Sequence, residues 1–251
     1  MNKVEYLKRI AVVENDIEPT FENLKLLQRQ HLLNVPFENL DIHWKCPILL
    51  NTNKFYKKII GDKRGGFCYE LNGLYNELLK EIGYKTKIIS ARVSSGKDFG
   101  AEYDHLALLT EIDGEEFLTD VGFGDLTADP LLFVLDEEQT DNTGIFKIRK
   151  HEGEYFEVIK KNSDEWKSEY IFKNLERDLQ EFAGMCNFHQ TSPESHFTSG
   201  KVCSLMTNDG RKTLTDKKFI ETINGEKRET EVNSEDDFYQ ILKREFSIEK
   251  P

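Results

Sequence analysis

The stretch Arg64-Gly65-Gly66-Phe67-Cys68-Tyr69-Glu70-Leu71-Asn72 puts a cysteine where two glycines meet a helix. Beyond it, Leu71, Leu74, Leu78 and Ile82 recur at helical spacing and Gly83 ends the run. Cys68 therefore falls in the first turn. Unpaired backbone N–H groups and the positive end of the helix dipole favour an anion there. A thiol so placed loses its proton more easily, and the thiolate is the nucleophilic form. Gly65 and Gly66 read as a tight turn that keeps side chains out of the approach to the sulfur. The competing reading is a small apolar residue packed at a helix start, because free cysteine is usually buried and inert. The nucleophile reading needs a base.

A base is available in a hairpin. Leu106 to Ile112 and Phe117 to Val121 read as strands joined at Asp113-Gly114, a strong tight-turn signal. With those two residues at the centre, Ile112 pairs with Glu115, and the same register sets Ala107 opposite Asp120. His105 shares the face of Ala107, so His105 and Asp120 become diagonal neighbours, Cβ atoms about 7 Å apart or less. A one-residue slip would separate them. An Asp beside a His fixes the ring's tautomer and stabilises the imidazolium, and the other ring nitrogen can then serve a thiol. An ordinary pair of strand neighbours is the alternative. The order Cys, His, Asp is shared by papain-like and transglutaminase-like enzymes. His31, His43, His151, His189 and His196 lack an equivalent arrangement; His189 and His196, near Ser192-Pro193, could line a site, although ordinary loop roles fit them better.

The elements around these residues fall into three groups. The first third reads as helical: Thr20 is an N-cap for a helix through Leu24, Leu27 and Leu32, which Pro36 stops. A polar stretch from Asn51 to Lys63 precedes the Cys68 helix. From Thr86 short strands dominate (Ile88 to Val93, the hairpin above, Tyr155 to Ile159, Trp166 to Phe172) and imply a barrel or sandwich. Leu175, Leu179, Phe182 and Met185 then fit one face of a helix. Val202 to Met206 and Phe219 to Ile223 are strands, Asn224-Gly225 is a second hairpin signal, and Ser234 with Asp237 opens a final helix.

Composition narrows the function. The chain has 251 residues, with 38% hydrophobic and 32% charged residues and a net charge of −12, a soluble and acidic profile. That charge argues against nucleic acid and anionic membranes as partners, since both need clustered Lys and Arg. It also requires any anionic ligand to find a local positive site. No run reaches membrane-span length, and the N-terminus lacks a signal-peptide core, so a reduced, cytoplasmic protein is expected. Cys46, Cys68, Cys186 and Cys203 are far apart, which removes zinc-finger and thioredoxin readings; no metal site is expected, and the three besides Cys68 read as structural.

These residues resemble the arylamine N-acetyltransferases. Val35-Pro36-Phe37-Glu38-Asn39-Leu40, Arg64 to Asn72, Asp104 to Leu109, Asp120-Val121-Gly122-Phe123-Gly124 and Ser192-Pro193-Glu194-Ser195-His196-Phe197 match family motifs in order, over nearly the whole chain. The resemblance implies an α+β fold of three units: a helical bundle (1–84), an antiparallel β-barrel (85–190) and an α/β lid (191–251), around a cysteine-protease-like or transglutaminase-like core. It implies a catalytic Cys68–His105–Asp120 triad, Asp120 standing where some relatives carry Glu. Phe37, Val93, Phe123 and Phe197 would line the acceptor pocket, with plain core packing as their alternative. Acetyl-CoA would be the co-substrate, with no tightly bound cofactor, and an arylamine, arylhydrazine or N-hydroxyarylamine the acceptor. Arg64 and Glu38 read as a structural ion pair. Lys97, in the Ser94-Ser95-Gly96-Lys97 loop, could meet a phosphate, although a solvated turn fits it better. A thiol hydrolase or transglutaminase with the same triad, a non-catalytic reactive-thiol module and an amide synthase remain open, as does monomer or homodimer.

Overall fold

A computed structural model describes residues 1–13 and 17–250. Helices α1 (Lys3–Arg9), α2 (Phe21–Asn34), α3 (Leu40–Trp44), α4 (Thr52–Tyr56) and α5 (Cys68–Ile82) form the first part, with the two-residue strand β1 (Phe37–Glu38) among them. Thr20 Oγ1 accepts from Asn23 N and caps α2, as its position predicts. The stretch from Asn51 is more ordered than its polarity suggests: α4 runs into a wide π-helical turn, Lys57–Gly61, that buries Phe55, Ile59 and Ile60.

Eight strands then make one antiparallel sheet: β2 (Lys85–Val93), β3 (His105–Ile112), β4 (Glu115–Thr119), β5 (Leu131–Leu132), β6 (Gln139–Asp141), β7 (Gly144–Lys150), β8 (Tyr155–Asn162) and β9 (Glu165–Glu176), in the order β5-β4-β3-β2-β9-β8-β7-β6. The sheet curls into a nearly closed barrel. Its two edge strands are joined by a side chain: the Gln139 amide accepts from Leu132 N at 2.7 Å and donates to Leu132 O at 2.9 Å, as a backbone partner would.

Strand alternation divides the core. Ile89, Ala91, Ala107, Leu109 and Leu118 point into the barrel, with Phe146, Val158 and Phe172. Ile88, Leu106, Leu108 and Phe117 face the other way and pack with Leu71, Leu74 and Leu78 of α5. One helix face and one face of the hairpin therefore share a core, which brings the N-terminus of α5 to the start of β3.

The helix expected from Leu175 begins later. Leu175 ends up on β9, half-exposed, because that strand continues to Glu176; a 3₁₀ turn (Leu179–Phe182) then leads into α6 (Ala183–Thr191). After α7 (His196–Ser199), strands β10 (Val202–Thr207), β11 (Gly210–Thr215), β12 (Lys218–Ile223) and β13 (Glu226–Glu231) form a second antiparallel sheet with β1 at its edge, covered by α8 (Glu235–Phe246). Ser234 Oγ accepts from Asp237 N at 3.1 Å, the expected cap. β1 ties the motifs together: it pairs with β10, and Glu38 N donates to Gly66 O at 2.8 Å.

Candidate active site

The hairpin register is the one the Asp113-Gly114 turn dictates. Ile112 lies opposite Glu115 and Leu108 opposite Thr119, and both turn residues have positive φ (52° and 87°). The ladder ends one pair before Asp120, whose parity still sets it beside His105. His105 Nε2 lies 2.7 Å from Asp120 Oδ2, and both side chains are buried. The carboxylate accepts the Nε2–H hydrogen bond, which leaves Nδ1 for the sulfur, and Cys68 lines the same cavity as the ring. Burial opposes charge on His105. The Asp120 carboxylate and its hydrogen bond, with Cys68 adding to them, outweigh burial and push the imidazole pKa up to about 10. Burial also opposes charge on Asp120, but His105, Asn72 and the Gly122 N–H hold its carboxyl below the usual range.

Asp120 is held by more than His105. Its Oδ1 accepts from Asn72 Nδ2 at 2.8 Å, Gly122 N at 2.9 Å and Phe123 N at 3.1 Å. Asn72 also donates to Leu106 O at 2.6 Å and accepts from Val121 N at 2.8 Å. It sits one turn beyond Cys68, so one helix face presents both the sulfur and the group that fixes the carboxylate. A polar residue at i+4 on an otherwise buried face was the available signal for this role.

The glycines work differently from the expectation. Neither Gly65 nor Gly66 has a positive φ, and their missing side chains do not open a path to the sulfur. A Cβ on Gly65 would collide with the Pro36 carbonyl, and one on Gly66 would come within 2.9 Å of the Glu70 side chain. They allow close packing against β1 and against the first turn of α5. Gly122 belongs with them: a Cβ there would lie 2.8 Å from Cys68 Cα.

Beneath this turn lies a buried ionic cluster. Arg64 pairs with Glu38 and Asp41, at 2.5 and 2.9 Å, so the expected Arg64–Glu38 pair is present within a larger group. Lys58 bonds both oxygens of Glu70 at 2.9 Å and Asp41 at 2.8 Å. Glu70 Oε2 in turn accepts from Phe67 N at 3.2 Å, capping α5. Among the described residues nothing accepts from the N–H groups of Cys68 and Tyr69.

The sulfur and imidazole open into a cavity of about 270 Å³. Phe37, Val93, Phe123 and Phe197 all line it, so the structure gathers the four expected pocket residues around Cys68 and His105. Val202 and Asp104 line it too, and sequence reasoning missed them; His196, for which a place in a site was the less favoured reading, also lines it. His189 departs from the loop reading: its ring is buried, with Nε2 3.3 Å from Asp104 Oδ1 and Nδ1 3.2 Å from Ser195 Oγ.

A constellation of this kind on this fold has known counterparts. The N-acetyltransferase family model matches residues 20–250. A Salmonella typhimurium protein, an arylamine N-acetyltransferase / N-hydroxyarylamine O-acetyltransferase, is 32% identical over 92% of this chain and 83% of its own length. This chain belongs to the arylamine N-acetyltransferase family. Its members are acyltransferases. The Mycobacterium marinum arylamine N-acetyltransferase solved in complex with CoA superposes with a TM-score of 0.90 at 27% identity, covering 98% of this chain and 93% of that one. A Bacillus cereus family member, described as having a Cys-His-Glu catalytic triad, superposes at 0.91 with 26% identity over 100% of both chains.

In this acetyltransferase a cationic cleft adjoins the cavity. Phe123 lines both the cavity and a neighbouring one of about 530 Å³ holding Lys160, Lys161 and Lys167. Lys160 and Asp125 continue into a third, about 460 Å³, that holds Arg211. The Arg211 side chain is 17% exposed, yet its nearest carboxylate, Asp125, is 3.8 Å away and 74% exposed. Lys160 shares that same carboxylate at 3.5 Å. Lys97, by contrast, lies exposed in a surface turn. A larger cavity, about 650 Å³, lies between Cys46 and Cys186 and includes none of Cys68, His105 and Asp120. Cys186 and Cys203 are buried, and burial pushes the Cys186 thiol up to about 12.

Proposed function

We propose that this chain moves an acetyl group from acetyl-CoA to an arylamine, arylhydrazine or N-hydroxyarylamine through acetyl-Cys68. The observation that carries the reading is the shared cavity, in which the sulfur and the His105 ring face aromatic walls. The Cys68 thiolate, opposite His105 imidazolium, attacks the thioester carbonyl. The free N–H groups of the first α5 turn stabilise the oxyanion. The tetrahedral intermediate expels CoA thiolate, which leaves with the His105 proton. The acceptor nitrogen then attacks acetyl-Cys68, His105 takes its proton, and the Cys68 thiolate is regenerated as the C–S bond breaks. An aromatic nitrogen suits this step because it is largely unprotonated near neutral pH, and apolar walls bind it with few polar contacts.

The cleft beyond Phe123 is our candidate for the phosphates of CoA. Gly122 lines the cavity and Asp125 the cleft, so the walls are at most about 10 Å apart along the chain. Lys160, Lys161, Lys167 and Arg211 face Asp125, Glu169 and Asp209 there, a local excess of positive charge on an acidic protein. We read the chain as three units, 1–84, 85–190 and 191–251, supplying Cys68, the His–Asp pair and Phe197 respectively. A thiol nucleophile and four free cysteines suit the cytoplasm.

Mixing the protein with acetyl-CoA and no acceptor, followed by intact and peptide mass spectrometry, tests the reading. One acetyl group on Cys68 is expected, discharged on adding an aromatic amine. An adduct confined to another cysteine, or turnover by Cys68→Ala, overturns it.

A further inference from the structure

The acceptor cavity is apolar apart from the reacting groups and two others, Asp104 and His196. Asp104 is held in place on several sides. Its Oδ2 accepts from Val93 N at 3.2 Å, and its Oδ1 lies 3.3 Å from His189 Nε2. Gly100 presses against the carboxylate so closely that any side chain there would displace it. Among the described residues no Lys or Arg lies within ion-pair distance; His189 is the sole basic partner. His189 is itself tethered through Nδ1 to Ser195. A carboxylate in an apolar pocket without a permanent cation is costly unless a ligand supplies a partner. It has about four acceptor sites; Val93 N engages one, and His189 Nε2, which hydrogen-bonds the Asp104 backbone carbonyl at 3.3 Å, approaches a second.

We propose that Asp104 sets acceptor preference, favouring aromatic amines that carry a second, cationic group over those that carry a carboxylate. The inference rests on the reading that this cavity takes an aromatic amine. A substituent with an ammonium group meets an acceptor with spare lone pairs beside aromatic faces that also attract cations. An aminobenzoate brings a second carboxylate into the same low-dielectric space, where like charges repel strongly. The chain's net charge of −12 acts in the same direction but over long range, and salt screens it.

The test compares kcat/KM for 4-aminobenzylamine, 4-methylaniline and 4-aminobenzoate, with acetyl-CoA as donor at moderate salt. The parent enzyme is expected to prefer the benzylamine over the benzoate by about tenfold or more. Asp104→Asn keeps an acceptor for Val93 N and removes the charge; its benzylamine-to-benzoate ratio is expected to fall by about the same factor. The ratio is taken within each enzyme, so a general loss of activity cancels. Asp104→Ser serves if the Asn variant does not fold. A parent that acetylates 4-methylaniline but does not discriminate by charge, or a ratio unchanged in the variant, overturns the role of Asp104 alone. A parent that acetylates none of the three overturns the arylamine reading with it.

Discussion

Asn72 Nδ2 lies 2.8 Å from Asp120 Oδ1, one helical turn past Cys68. The helix that carries the nucleophile thus also holds the acid that orients the base. Among the described residues Asn72 hydrogen-bonds neither the sulfur nor the ring, so its effect on rate runs through Asp120. Replacing it by Ala leaves the carboxylate, Leu106 O and Val121 N each short of a partner, at about 1–3 kcal/mol of stability. A loosened Asp120 is expected to lower kcat by about a hundredfold, the usual cost of a small misplacement. Urea unfolding and steady-state rates measure both; an intact kcat would show that the two N–H donors hold Asp120 without it.

Asp120 and His105 titrate as one interacting pair. With its pKa pushed to about 10, the imidazolium persists through neutral pH. The stabilising contribution of a group raised in this way is complete below its ordinary value near 6.5 and is lost as pH rises through about 10. NMR titration of the His105 ring should therefore show no midpoint between pH 6 and 8. Asp120→Asn should bring the midpoint down into or below that range and lower kcat by about 10³–10⁴-fold, as a wrong tautomer does in serine proteases. A near-neutral midpoint in the parent would contradict the imidazolium.

Much of this site could be read from the chain because it rests on local rules. The Asp113-Gly114 turn sets a register, and a register sets which side chains share a face. Cys68 follows from the periodicity of α5. What escaped detection depends on long-range packing. Asp104 reaches the cavity and His189 finds it from α6, across 85 residues of sequence. The purpose of Gly65 is set by the Pro36 carbonyl, which no local pattern reveals. The helix drawn from Leu175 erred because apolar spacing fits the end of β9 as well as a helix, and an exposed Leu175 is cheap.

Arg211 offers a direct probe of the cleft. Its charge is mostly buried, opposite a single exposed carboxylate shared with Lys160. A phosphate would give it a closer partner. Arg211→Gln should raise KM for acetyl-CoA about tenfold to a hundredfold, the scale of one charge-assisted bond, with little change in kcat. With 4-nitrophenyl acetate, an acetyl donor without phosphates, the same variant should match the parent. Equal losses with both donors would mean that Arg211 only supports the fold.

Glu70 closes the N-terminus of α5 and is the least comfortable member of the ionic cluster. Burial raises its pKa to about 7; Lys58 opposes the shift, while Glu38 and Asp41 reinforce it. Lys58 is raised too, because three carboxylates outweigh its own desolvation. The two shifts agree: Lys58 sees mostly anions, and Glu70 sees one cation and two anions. For a carboxyl raised on folding, stability is complete below its ordinary value near 4.5 and declines as pH rises through about 7. Glu70→Gln keeps an acceptor for Phe67 N and leaves Lys58 with Asp41 at 2.8 Å. Between pH 5 and 8 the parent should lose up to about 2–3 kcal/mol relative to this variant, the gap widening as pH rises from about 5 and levelling off above about 7. Asp41, held below its usual range, contributes with the opposite sign in both proteins and cancels in the difference. Chemical denaturation of the two proteins across that range decides the matter: parallel curves would mean that Glu70 stays ionised throughout, held by Lys58.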